Sequence, residues 1–189
     1  MKRILLITAI ILSTLFSYAQ ELPSFKGKEI KGTLDEWDAH LKKSCTFYKN
    51  ENGLKLYNTN FLEFPARVSL AYSPKTKQVS EIQLSIRPNA IKYFNQYDIE
   101  NSYSKIYNLI QSKYGNPTKS EKADFKTPEG RLDFNRQKSH HSDFWSFGDT
   151  GYIELEIEEA NYLSYRIRLT FGNRKAEQIR QKEMADIEL

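Results

Sequence analysis

The chain has 189 residues, 28% of them charged and 39% hydrophobic, with a formal net charge of +4 and a single cysteine. That length supports one domain with a core of its own, and the composition excludes both a disordered chain and an integral membrane protein. One cysteine excludes an internal disulfide framework and any cysteine-cluster metal site.

Met1-Lys2-Arg3 leads into the apolar run from Ile4 to Phe16, broken only by Thr8, Ser13 and Thr14, and then into Ser17-Tyr18-Ala19. A basic start, a short apolar run and small residues at the −3 and −1 positions before Gln20 make the pattern of a secretory signal peptide over residues 1–19. The run falls short of the roughly 20 residues needed to span a bilayer. No cysteine follows it closely, so a lipid anchor is not expected. Removing this segment leaves 170 residues and takes Lys2 and Arg3 with it, lowering the net charge from +4 to +2. A charge so nearly balanced offers no electrostatic case for nucleic acid. The expected product is a periplasmic or secreted protein, residues 20–189, with no transmembrane segment after cleavage.

In chain order, Thr33-Leu34-Asp35-Glu36 fits a capping box, and Leu34, Trp37 and Leu41 follow at helical spacing. A helix over 33–43 is predicted. Strands over 45–49 and 54–58 flank the turn-forming Asn50-Glu51-Asn52-Gly53. Over 62–72, Leu62, Phe64, Ala66, Val68, Leu70 and Tyr72 alternate with polar or small residues, the period of a half-buried strand. Ile82, Leu84 and Ile86 alternate likewise with Glu81, Gln83, Ser85 and Arg87. An antiparallel hairpin across Ser73–Lys77, with one face in water, is predicted.

Residues 88–97 read as a loop. A long helix is predicted from Asp98 to Tyr114, with the stripe Ile99, Tyr103, Ile106, Tyr107, Ile110 and Tyr114, stopped by Gly115 and Pro117. Weak strands near 122–125 and 131–135 flank a Thr127–Gly130 turn. Phe144, Trp145 and Phe147 mark an aromatic strand. Ile153, Leu155 and Ile157 then alternate with Glu154, Glu156 and Glu158, and Leu163 to Phe171 alternates apolar residues with Ser164, Arg166, Arg168 and Thr170. If these two pair, three glutamates and two arginines share one outward face. Such cross-strand pairs, at about 0.2–1 kcal/mol each, set register more than stability. A charged helix with the thin apolar stripe Ala176, Ile179, Met184 and Ile187 is predicted to end the chain. The predicted class is α+β: an antiparallel sheet with helices packed on one face, in two helix-plus-meander halves (about 24–90 and 97–189) followed by the C-terminal helix.

Chemistry is thinly signalled. His140, His141 and Asp143 are the weak candidates for a metal, but neighbouring residues of a strand point to opposite faces, and His40 is the only other histidine. Cys45 sits in a predicted strand with no activating partner in view. The glutamates lie beside arginines, which favour their ionised form, rather than in a pattern that separates their acidities. With 8 glycines and no phosphate loop or nucleophile signature, neither catalytic residues nor a cofactor can be read. The aromatics are the richer feature, because tyrosine is large, rigid and amphipathic and so suits interfaces. The candidate binding residues are Tyr93, Phe94, Tyr97, Trp145, Arg166 and Arg168.

The helix ending Lys113-Tyr114-Gly115-Asn116-Pro117, followed by a meander with Trp145 and the strand Ile153, Leu155, Ile157, resembles a pattern of small exported bacterial proteins of unknown function. Gly32-Thr33 with Glu36 is similar to the opening of their first half. In outline this tandem helix-plus-meander arrangement is similar to the beta-lactamase inhibitor protein and to small outer-membrane assembly lipoproteins, without the lipoprotein cysteine. The resemblance covers most of residues 30–171. It implies a fold and a binding role, and carries over no catalytic residue. The expected function is an exported, non-catalytic binding protein of the bacterial envelope, its partner a protein or another envelope component. The alternative is a small envelope enzyme or ligand carrier.

Overall fold

The computed structural model describes residues 22–51, 54–87, 96–135, 140–161 and 164–188. A two-stranded ribbon, β1 (Ser24–Phe25) and β2 (Lys28–Glu29), precedes helix α1 (Leu34–Leu41). Thr33 caps α1 as its spacing predicts. Its Oγ1 accepts from the Glu36 amide at 3.4 Å, and the Glu36 carboxylate accepts from the Thr33 amide at 3.0 Å. Four strands follow as a meander: β3 (Thr46–Glu51), β4 (Leu54–Phe61), β5 (Phe64–Tyr72) and β6 (Val79–Ile86). The second half comprises α2 (Gln96–Tyr114), β7 (Lys119–Glu121), α3 (Pro128–Asn135), β8 (His141–Phe147), β9 (Gly151–Asn161), β10 (Ser164–Asn173) and α4 (Arg174–Glu188).

The fold is α+β, with one eight-stranded antiparallel sheet in the order β3-β4-β5-β6-β10-β9-β8-β7. Each half contributes four strands, the first with α1 and the second with α2, α3 and α4, and the last strand of each, β6 and β10, meet at the centre. There Ile82, Leu84 and Ile86 lie opposite Phe171, Leu169 and Ile167. With Val68, Leu70, Ile153 and Leu155 they form the sheet's share of a single core. Trp37 and Leu41 of α1 and Ile99, Tyr103, Ile106 and Ile110 of α2 complete it, all buried. The α2 stripe is thus the predicted one, and the helix stops at Gly115, whose φ of 80° is a left-handed value that costs glycine nothing.

Three expectations need correction. The residues around 122–125 are not in a strand, and 128–135 is helical. Turn residues also start helices: the Thr127 Oγ1 accepts from the Gly130 amide at 3.1 Å, with Pro128 in the first turn. Phe125 and Phe134 pack edge to face, with ring centres 4.8 Å apart, and seal this insertion against the core. Leu62 is in a tight turn with φ of 54° and is exposed, because β4 runs on to Phe61 and turns at once into β5. In α4, Ala176 is buried but Ile179, Met184 and Ile187 are exposed.

The last correction has a polar cause. α4 docks on the face of the sheet turned away from the core. The Arg174 guanidinium lies over Tyr152 and Phe144, at 5.4 and 5.8 Å from their ring centres, and donates to Ser146. Glu183 accepts from the backbone amides of Lys75 and Thr76 at 2.7 and 3.2 Å. The Tyr152 ring lies where a Cβ on Gly172 would be, 2.2 Å from its nearest atom, so only glycine leaves it room. One end of that face is therefore covered, and among the described residues no element packs on the other end, the open face.

Leu84→Ala, at the central strand pair, should cost about 2–5 kcal/mol in chemical denaturation. Ser85→Ala, the next residue along but facing outward, should change stability by no more than about 0.5 kcal/mol.

Candidate functional site

The open face follows directly from period two. A row of side chains crosses the whole sheet in register: Thr46, Asn58, Arg67, Ser85, Arg168, Glu156, Ser142 and Glu121. All are polar. The predicted β9–β10 pairing is present, with Glu158 opposite Arg166, Glu156 opposite Arg168 and Glu154 opposite Thr170. The Arg166 Nε donates to Glu158 Oε1, and Arg168 binds Glu156 through one Nη and Glu158 through the other, the latter at 3.3 Å.

These are not ordinary surface charges. The Arg168 and Glu156 side chains are only 33% and 18% exposed. Burial pushes the Glu156 carboxyl above its usual range; Glu154 and Glu158 push the same way, against the pull of Arg168. Burial also works against the charged form of Arg168, but Glu156 and Glu158 outweigh it and raise its pKa. Half-buried ion pairs of this kind contribute little net stability, because desolvation offsets much of their attraction.

The row runs through a cleft of about 210 Å³ bounded by Arg67, Arg87, Arg166, Arg168, Glu158 and Glu51, with Ser69, Gln83 and Ser85 on its floor and Leu54 and Leu56 at one side. A smaller recess of about 130 Å³ adjoins it and shares Arg67, Ser85 and Arg87. The Arg67 guanidinium rests on the Tyr48 ring, 4.5 Å from its centre. Arg67 Nε and Arg168 Nε are both shut off from solvent without an acceptor. What this arrangement can do chemically is receive an anion, because several guanidinium groups converge on one cleft.

The other residues singled out in the sequence are dispersed. Tyr93 and Phe94 lie outside the described residues, as does the Tyr97 side chain, although Tyr97 is in α2. Trp145 is 1% exposed and its Nε1 donates to the Gly115 carbonyl at 2.8 Å, so it joins α2 to the sheet and presents no surface. His140 is exposed just before β8. His141 lies inward, its ring edge-on to Tyr103 with centres 4.6 Å apart. Asp143 is fully buried and accepts from the Tyr103 hydroxyl at 2.8 Å, from Ser120 and from Lys122. That knot ties edge strand β7 to α2. Among the described residues no group of three or more His, Cys, Asp and Glu side chains could hold a metal. Cys45 is half-buried, its Sγ 3.8 Å from the Ser44 hydroxyl.

Arg67, Arg87, Gln83 and Ser85 were missed as site residues. Their signal was present, since each alternates outward on β5 or at β6. What the alternation lacks is the β6–β10 contact that brings Arg67 and Ser85 alongside Arg168. Comparison with protein families, curated proteins and solved structures found no match for this chain.

Burial, with the charge of Lys122 adding to it, holds His141 down at a pKa of about 4, although Asp143 pulls the other way. A folded value below the unfolded one means that the unfolded chain takes up the proton first. Stability is therefore full above pH 6.5 and falls as the pH drops from 6.5 toward 4, by about 3 kcal/mol at most. Denaturation midpoints across that interval should show this fall in the wild type and a flatter profile in His141→Phe.

Proposed function

We propose that this chain is an exported, non-catalytic binding module of the bacterial envelope that holds its partner on the open face of the sheet. The observation that carries the reading is the arginine cleft. A sheet face that needs only to be soluble gains nothing by gathering guanidinium groups in one cleft and holding some of them half-buried, since desolvating a charge has a cost. The same groups suit a surface that a partner completes. The opposite face supports the reading too, because it is consumed by α1, α2 and the common core. The charged rows are therefore not a residue of incomplete folding. Export rests on residues 1–19, whose basic, apolar and small-residue order matches a cleavable signal.

Two measurements test the two parts. Mass spectrometry of the protein recovered from the envelope fraction should read Gln20 as its first residue; an intact Met1 start would remove the export claim. A photo-crosslinking residue placed at Gln83, on the open face, should give discrete adducts in the native envelope, and one at the exposed Ser104 of α2 should not. Equal yields from both positions, or none from Gln83, would overturn binding through this face.

A further inference from the structure

The charged ladder of the open face is only half complete. On the β9–β10 side each outward arginine has a glutamate across from it: Arg166 with Glu158, Arg168 with Glu156. On the β5–β6 side there is none. Arg67 lies opposite Ser85, and Arg87 follows Ser85 by two residues, its amide bound to the Pro65 carbonyl at 3.1 Å. Glu51, at the rim, is already paired with Lys49 at 2.6 Å. Among the described residues, Arg67 and Arg87 have no carboxylate partner, so the cleft holds two uncommitted positive charges.

We infer that Arg67 and Arg87 receive two carboxylates of an extended acidic peptide, which completes the ladder on β5 and β6. The inference rests on the open face being the binding surface. Diagonal neighbours of adjacent strands are about 7–8 Å apart, and alternate residues of an extended chain are separated by about 6.6 Å. Acidic side chains two positions apart therefore match the arginines one to one. The Tyr48 ring lies under the Arg67 guanidinium, its centre 4.5 Å from the guanidinium carbon, and holds it at the cleft without neutralising its charge. A phosphate monoester would bring its second negative charge toward Glu158, on the wall of the same cleft. One charge per arginine avoids that repulsion. Leu54, half-buried at one side of the cleft, offers apolar contact for the methylene groups of the acidic side chains.

Fluorescence anisotropy of the mature protein with a labelled alternating Glu-Ser peptide tests this, with a Gln-Ser peptide as the neutral comparison and inorganic phosphate and acetate as competitors. The Glu-Ser peptide should bind and the Gln-Ser peptide should not. The double variant Arg67→Gln/Arg87→Gln should weaken binding by about tenfold or more. The variant Lys31→Gln/Lys43→Gln changes the net charge equally at exposed positions away from the cleft, and should change binding by less than about threefold. Circular dichroism and Tm confirm that both variants are folded. Equal losses in the two variants would reduce the effect to net charge and overturn the site. Displacement by phosphate at lower concentration than by acetate would make it a phosphate site. Adducts at Gln83 without any binding of the Glu-Ser peptide would overturn the carboxylate inference while leaving the open-face reading in place; peptide binding lost in the arginine variant, without adducts at Gln83, would uphold the carboxylate site and overturn only the claim of an envelope partner.

Discussion

The pairing of β6 with β10 holds the two halves together, and both faces of the sheet depend on it. Each half alone contains a four-stranded meander whose last strand would be an unprotected edge. Joined, those two edges become the centre of the sheet, and Ile82, Leu84 and Ile86 meet Phe171, Leu169 and Ile167 where the core is deepest. The same register sets Ser85 beside Arg168 on the reverse face. A one-residue slip would turn every one of these side chains to the other side. Core and cleft are thus two consequences of a single alignment.

The two faces are stabilised by different means. The inner one is apolar and filled, and its burial supplies the driving force for the fold. The outer one carries a polar row from edge to edge, and its ion pairs are placed where solvent screens them only partly. Such pairs add little to stability but fix which strand stands where. α4 belongs to this second regime. It is held by Glu183 on two backbone amides and by Arg174 across two aromatic rings, and leaves Ile179, Met184 and Ile187 outside. Helical amphipathicity alone could not have placed it, because its apolar stripe is not the stripe that docks.

Where one local signal had a single physical meaning, the sequence was legible. The Thr33–Glu36 capping box, the α2 stripe ending at Gly115 and the alternation in β5, β6, β9 and β10 all have the structure their spacing implies. Where a signal had two meanings, it was not. Thr127-Pro128-Glu129-Gly130 serves a turn or a helix start equally well, and the burial of Phe125 and Phe134 against the core decided for the helix. Trp145 shows the same limit for the site: aromatic character suits an interface or a core, and its contact with the end of α2 settles which.

By itself the sequence determined the α+β class, the strands and helices with strong periodicity, and the outward placement of Arg166 and Arg168 beside the glutamates. Those are properties of residues a few positions apart, and short-range sterics and period-two geometry suffice for them. Only the tertiary structure decided that Arg67 and Arg87 stand in the same cleft as Arg168, that one end of that face is covered by α4, and that Asp143 and His141 are part of the interior. Each depends on strands and helices far apart in the chain, brought together by burying a shared apolar face, and no local pattern encodes which distant edge will be the neighbour.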